Sequence, residues 1–430
     1  MSKFQVGIGK LDITPEMGLF MSGGLYPREY DKIKDPLYAK SIVIATEDTK
    51  IAIVTLDLLY MLNEHVNKVR KVILEETGIP YENIVISTSH THSGPYTLFH
   101  QMEPYIKESY DEILARHEKY LDRVLEAVKQ SVLQANQDLE PCRLGTAKGK
   151  VEGILHNRRA LKDDNDCWNT WLLPKEERDK WPAAGPVDTD LLILAAATED
   201  NKVKAVVYNY ALHANSNRIP KSISADYPAY AAKEVQSSLG SHVETFFLPG
   251  ACGNINVNTS SEVIGEKIGK EIVEKLKTID YNLEPVICTK NIVIDIPFRE
   301  FTHFQEEEIS RKWPSGLEYY RNEYQRLKDE KERSVKCSLT GIRIDNSALI
   351  FNPAEFFVEF GLEIKNNSPF KHSLVVELAN GYIGYVPTKI SFEQGGYETF
   401  NASQSKLIPE AGEIIVKESL NILHDLKAQC

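Results

Sequence analysis

The chain has 430 residues, 42% hydrophobic and 26% charged, with a formal net charge of −12. That balance is ordinary for a soluble globular protein and excludes a disordered or fibrous chain. No Lys/Arg stripe alternates with aromatics, which excludes nucleic acid as the main partner, and no 18-residue apolar run is present to span a bilayer. The start, Met1-Ser2-Lys3-Phe4-Gln5-Val6, runs directly into a strand pattern and lacks the apolar core of a signal peptide. Six cysteines (Cys142, Cys167, Cys252, Cys288, Cys337 and Cys430) show no Cys-x-x-Cys spacing and read as reduced thiols. A cytoplasmic location is expected.

Residues Phe4 to Thr14 alternate as a strand, and Met21-Ser22-Gly23-Gly24 forms a loop. Strands are expected at Ala39 to Ala45 and Ile51 to Leu58, then a helix from Asn63 to Glu76 with Gly78 as its stop. The β-branched run Ile84-Val85-Ile86 reads as a buried strand that breaks at Ser87-Thr88-Ser89-His90-Thr91-His92-Ser93-Gly94-Pro95. In an extended segment the two imidazoles would fall on one side, an arrangement that suits a divalent metal, zinc first. A hydrogen-bonded structural pair is the alternative. A long amphipathic helix is expected from Lys107 to Gln134, with His117 as a surface or packing residue.

Arg158 and Arg159 precede an irregular segment, where they could hold a carboxylate or form a solvated pair. Between 160 and 186 the composition turns polar and includes Trp168, Trp171 and Trp181, which suggests a lid or an oligomer contact, with plain surface packing as the alternative. Strands follow at Leu191 to Thr198 and Val203 to Tyr210, the second running into His213, again a histidine at a strand exit. Two such exits raise the odds of a shared site. A short helix through Val235 leads to a strand at Glu244 to Leu248, which ends in Pro249-Gly250-Ala251-Cys252-Gly253-Asn254-Ile255-Asn256. Cys252 has no nearby base in sequence and is not read as a nucleophile.

A helix at Glu262 to Lys277, a strand at Val286 to Ile296 and a charge-dense helical stretch at Thr302 to Glu332 come next. A hairpin then turns at Asp345-Asn346, and Glu355 is placed at the start of a helix running to Lys365. There a carboxylate commonly complements the helix dipole. A strand at Leu374 to Leu378, a Gly/Tyr-rich turn at Asn380 to Pro387 and a closing helix at Gly412 to Leu426 complete the chain. No internal repeat is visible. The fold class expected is α/β, mixed β-sheets layered with helices, in one catalytic domain covering 1–430.

The ordered blocks Gly7-Ile8-Gly9-Lys10-Leu11-Asp12-Ile13-Thr14-Pro15, His90-Thr91-His92-Ser93-Gly94-Pro95, Asn157-Arg158, His213, Gly253-Asn254-Ile255-Asn256, Pro353-Ala354-Glu355 and Asn380-Gly381-Tyr382-Ile383-Gly384-Tyr385 resemble the neutral, non-lysosomal ceramidases and their shorter bacterial relatives. The resemblance implies a Zn2+ held by His90, His213, Glu355 and Tyr385, with His92 beside the metal on the substrate side. It implies that Tyr397 steadies the oxyanion and that Arg158 is the active-site arginine. The implied reaction is hydrolysis of an amide by zinc-activated water. An esterase or lactonase acting on a small substrate, and a non-catalytic binding relative, are the alternatives. The partner is then a small-molecule or lipid-like amide, with a homo-oligomer possible.

Several positions depart from the family pattern. Asn256 stands where longer relatives carry a serine, Tyr96-Thr97 replace glycines, and Ala354 replaces the glycine before the glutamate. These changes predict a remodelled pocket and no serine nucleophile. The expected absence of a secretion signal and of an immunoglobulin-like domain points toward a smaller substrate than ceramide.

Overall fold

The computed structural model describes residues 4–97, 110–163, 165–178, 180–216 and 221–429. Its larger sheet has eight strands: β1 (Gln5–Asp12), β2 (Tyr38–Ala45), β3 (Lys50–Leu56), β4 (Ile84–Thr88), β5 (Glu140–Lys150), β6 (Asp190–Thr198), β7 (Val203–Tyr210) and β8 (Glu244–Pro249). They lie in the order β8-β7-β6-β5-β1-β2-β3-β4. Only the outermost pairs are parallel, β3 with β4 and β7 with β8. Parallel neighbours need a crossover, and helices α1 (Asn63–Thr77) and α3 (Tyr227–Leu239) supply the two. After β4 comes α2 (Tyr110–Gln137), and after β8 comes α4 (Ser261–Leu276). Residues 107–109 of the expected long helix lie outside the described residues.

The same run of three antiparallel strands, helix, parallel strand and helix thus occurs twice, back to back about the β1–β5 pair. Hydrogen bonds repeat with it. Leu56 O accepts from Leu58 N (2.9 Å) and Ser89 N (2.8 Å); Tyr210 O accepts from Leu212 N (3.1 Å) and Gly250 N (2.9 Å). Close packing repeats too: a Cβ on Gly9 of β1 would lie 2.0 Å from Ser131 O of α2, and one on Gly149 of β5 would lie 2.6 Å from Glu271 Oε1 of α4. The expectation of no internal repeat is therefore corrected. What recurs is backbone pairing and close approach, which different residue strings satisfy equally well.

The smaller sheet comprises β9 (Ile287–Pro297), β10 (Ser334–Ile344), β11 (Ser347–Phe351) and β12 (His372–Val376), paired in that order. Helices α5 (Glu306–Lys312) and α6 (Leu317–Asp329) intervene after β9; α7 (Val358–Asn367) and α8 (Ala411–Gln429) follow later. One face of this sheet packs Ile342, Phe351 and Leu374 against Val6, Ile42, Leu194 and Phe246 of the larger sheet. The opposite face lies under α7 and α8 through Leu339, Ile350, Ile364, Ile415 and Leu423. Helices α1 and α2 cover one half of the larger sheet, and α3 and α4 the other. The layers therefore run helix, sheet, sheet, helix, and each sheet buries apolar side chains on both faces.

The larger sheet coils until β8 comes against β3 and β4. Residues 377–380, continuing β12, run into that seam. Glu377 N donates to Pro249 O (3.1 Å), Thr88 N to Leu378 O (3.2 Å) and Asn380 N to Ile86 O (2.7 Å). The exits of β4, β7 and β8 and the end of β12 are thus brought to one place.

Some local expectations differ from what is seen. Strand β5 was not foreseen, because its glycines and lysines (Gly145, Lys148, Gly149, Lys150) blur the alternation. Glu355 is not in a helix: it lies in the short strand Ala354–Phe356, and α7 begins at Val358. His90 is not extended but left-handed, with φ of +60°. His117 is fully buried, its Nε2 accepting from Phe20 N at 3.1 Å, so of the two readings packing holds. Cys288 is disulfide-bonded, so the reading of uniformly reduced thiols fails and lends no support to a cytoplasmic location. Among the described residues no helix is long and apolar enough to cross a membrane.

Candidate active site

Four chain segments meet above the seam. His90 follows β4; His213 follows β7; Glu355 and Tyr385 face one another across two short parallel strands, Ala354–Phe356 and Gly384–Val386. His90, His213, Glu355 and Tyr385 are all buried. His90 Nε2 lies 3.3 Å from Glu355 Oε2, and His213 Nε2 lies 3.7 Å from that same oxygen. His92 Nε2 is 3.3 Å from His90 Nε2. One ligand atom each from His90, His92 and His213 falls within 4.8 Å of the others, so this trio could hold a metal ion.

Backbone contacts aim these rings. His90 Nδ1 meets Leu59 O at 3.0 Å and His92 Nδ1 meets Gly23 O at 2.9 Å, which turns both Nε2 atoms inward. The strained backbone at His90 fits the same purpose, since a non-glycine residue in that region persists only where its surroundings over-determine it. Glu355 Oε1 accepts from Tyr382 OH at 2.8 Å, whereas Glu355 Oε2 is buried with no hydrogen-bond partner. A buried carboxylate oxygen with no donor is costly unless something cationic faces it.

Charge follows from this geometry. Burial opposes ionisation of Glu355, yet His90 and His213 hold its carboxyl well below the usual range. Burial lowers His90 and Glu355 outweighs it, so His90 is raised overall. His213 is pulled down to about 3, first by burial and then by Arg158 and His90. The Tyr385 phenol is pushed well above its ordinary value by burial and by Glu355, and Tyr397 up to about 12 by the same two causes.

Arg158 is buried beside the trio. Its Nε donates to Glu398 Oε1 (2.8 Å), its Nη2 to Tyr385 OH (3.1 Å), and its Nη1 sits 3.3 Å from His213 Nε2. Arg159 Nη1 donates to Glu398 Oε2 (2.9 Å) and Asn169 Nδ2 to Glu398 Oε1 (2.8 Å). Of the two readings of this arginine pair, the carboxylate clamp is the one observed. Tyr397 stands with its ring 5.4 Å from Tyr385 and lines the cavity over the histidines. Trp171 also reaches that cavity, whereas Trp168 pairs with Trp181 away from it.

Sequence reasoning left out Tyr382, Glu398 and Glu377. Tyr382 belongs to the Gly/Tyr-rich turn already singled out, so only its role was missed. Glu377 looked like one polar residue at the end of an apolar strand. In the fold its Oε2 accepts from Phe356 N (2.8 Å) and Cys252 N (3.0 Å), beneath the site. Cys252 Sγ lies 2.9 Å from Glu377 Oε1, and burial and Glu377 push this thiol far up, which suits an inert cysteine. Asn254, in the turn after Cys252, accepts from Val358 N through Oδ1 and donates through Nδ2 to Glu359 Oε2, each at 2.9 Å, and so serves the turn.

The description "Neutral/alkaline non-lysosomal ceramidase, N-terminal" matches residues 4–279. Neutral ceramidase A of Dictyostelium discoideum is 24% identical over 245 residues, 54% of this chain and 31% of that protein. Neutral ceramidase B of the same organism is 26% identical over 151 residues, 35% of this chain and 19% of that protein. The chain thus spans less than a third of the length of either relative. The crystal structure of neutral ceramidase from Pseudomonas aeruginosa superposes with a TM-score of 0.75 at 17% identity, over 100% of this chain and 75% of that one. A ceramidase complexed with C2 gives 0.74 at 18% identity, over 100% and 76%. The fold is shared with these structures, and the chain belongs to the neutral/alkaline non-lysosomal ceramidase family.

Proposed function

We propose that this chain hydrolyses an amide bond using a zinc ion held by His90, His213 and Glu355, with Tyr385 completing the set. One observation carries the reading. Ligands about 2.0–2.1 Å from a tetrahedral zinc stand roughly 3.3 Å apart, and the His90–Glu355 and His213–Glu355 separations are 3.3 and 3.7 Å. The donor set, two imidazoles and an otherwise unpartnered carboxylate oxygen, fits that ion. When bound, zinc polarises a carbonyl and lowers the pKa of water toward neutrality.

The remaining roles fall to side chains of this chain. Tyr382 fixes one Glu355 oxygen and leaves the other free for the ion. The Tyr397 phenol, raised to about 12 and so protonated at neutral pH, donates to the carbonyl oxygen as negative charge develops there. Arg158, clamped by Glu398, adds a fixed positive charge to the same wall. His92 accepts a proton at Nε2 from the attacking water and delivers it to the leaving nitrogen. No serine is called upon.

Metal analysis of the purified chain tests the assignment. One equivalent of zinc is expected, lost in the His90→Ala/His213→Ala double variant and kept in His92→Ala, which loses hydrolysis instead. Absence of zinc, or its full retention in the double variant, overturns the ligand set; zinc loss in His92→Ala makes that residue a ligand.

A further inference from the structure

A second cavity, of about 240 Å³, lies between the exits of β3 and β4, strands β7 and β8 and helix α3, and it shares no described lining residue with the cavity over the histidines. Ser89 N donates to Leu56 O at 2.8 Å, which sets Ser89 beside Asp57 where the two parallel strands end. Both side chains line this cavity, as does Tyr208. Ser89 Oγ and Tyr208 OH are buried with no hydrogen-bond partner. The Asp57 carboxylate accepts from Tyr38 N at 2.9 Å, and among the described residues no cation forms an ion pair with it. Lys40 and Lys10, the nearest ammonium groups, are engaged by Glu244 at 2.7 and 3.1 Å. Asp35 is satisfied by Ser224 Oγ and Ala225 N, each at 2.6 Å, and Lys233 at the mouth is exposed. Burial, and then the Asp57 charge, hold the Tyr208 phenol well above its ordinary value, so it stays a neutral hydroxyl beside that carboxylate.

Two dry hydroxyls and a carboxylate without a counter-ion select what can enter. An anion is repelled by Asp57, and a neutral alcohol satisfies the hydroxyls but leaves the carboxylate unpaired. A primary ammonium carries three N–H donors, one for each of the three oxygens, together with the missing positive charge. A lone ion would leave most of the space unfilled, since the volume equals that of about eight waters at roughly 30 Å³ each. The remaining wall, at Pro36, Pro228, Ala229, Ala232 and Phe247, is apolar and suits an alkyl body. We propose that this cavity is a second ligand site, which takes a compact primary alkylammonium compound with its head on Asp57, Ser89 and Tyr208 and its alkyl body against Pro228, Ala232 and Phe247. Binding there does not depend on the hydrolysis proposed above. The occupant would rest against the strand ends that aim the catalytic ring, because Ser89 adjoins His90 and Asp57 stands two residues before Leu59, whose O meets His90 Nδ1 at 3.0 Å.

The test is an NMR titration of the full zinc-loaded chain at about pH 8, where Asp57 is ionised and the amine still protonated. The probes are n-butylammonium chloride, 1-butanol and sodium butyrate, each observed through its own protons. Saturable binding of one equivalent is expected for the ammonium, with the alcohol at least about tenfold weaker and butyrate not bound. Asp57→Asn should weaken the ammonium about tenfold or more and Tyr208→Phe about threefold, whereas the His90→Ala/His213→Ala double variant should bind it unchanged. No saturable binding, equal binding of 1-butanol, or undiminished binding to both Asp57→Asn and Tyr208→Phe overturns the site. Loss of binding in the histidine double variant would move the amine to the metal cavity and overturns it too.

Discussion

Glu377 shows how much of the site depends on a residue that touches no substrate. Its one oxygen accepts two backbone donors, from the strand that carries Glu355 and from the turn at Cys252. Burial raises this carboxyl to about 7, so its charged form is far less favoured than that of an ordinary carboxylate. A neutral isostere should therefore be tolerated where truncation is not. Glu377→Gln is expected to keep stability within about 1 kcal/mol and zinc affinity within a few-fold, whereas Glu377→Ala leaves two buried N–H groups dry and costs about 2–4 kcal/mol. Urea denaturation and zinc titration read the two effects. Equal loss in both variants would mean that the negative charge, and not the acceptor, matters. His90, His213 and Glu355 were visible in sequence because strand exits and family blocks mark them. Glu377 was not, because its function lies in backbone groups distant in the chain.

At the scale of elements, the close approach of α2 to β1 at Gly9 leaves no room for a side chain. Gly9→Ala should force the helix outward and cost about 2 kcal/mol or more, seen as a lower urea midpoint. Asp57, one residue past the end of β3, behaves differently. Its carboxyl is half-buried and raised to about 6 by desolvation, with Tyr38 N donating to it at 2.9 Å. The folded chain then binds a proton that the unfolded chain has released, so stability falls as pH rises from about 4 to 6 and stays low above. Asp57→Asn should remove that slope, stabilising the protein by about 2–3 kcal/mol at pH 8 and little at pH 4. Most strands and helices were legible to within a few residues, because an apolar run marks Lys50–Leu56 and helical spacing marks Asn63–Thr77 and Ala411–Gln429. Strand β5 was not, since glycines that admit α4 also erase the apolar alternation on which a strand is read.

The whole molecule joins a duplicated unit to a second sheet, and the site takes residues from both. His90 comes from the first unit, His213 from the second, and Glu355 from beyond them. The ion proposed above would bridge three such distant segments and act as a cross-link present only in the native state. Saturating zinc should therefore raise the melting temperature, by an amount that grows with free metal concentration and corresponds to about 4 kcal/mol at a thousand times Kd. Thermal melts at graded zinc buffer levels check this; a melting temperature indifferent to zinc would contradict it. Mixed sheets layered with helices were expected from the α/β pattern, and they are what is seen. The duplication and the coiling of the sheet were not expected, because both are relations between strands that no single stretch records.

The hydrogen bonds that residues 377–380 make across the seam have a consequence for how the molecule breathes. Thr88 and Asn380 donate between segments almost three hundred residues apart, so neither amide can be exposed by fraying of one terminus or one loop. Their deuterium exchange should be among the slowest in the protein and should report global unfolding alone. The cavity over the histidines therefore stands on a floor that stays shut as long as the chain is folded.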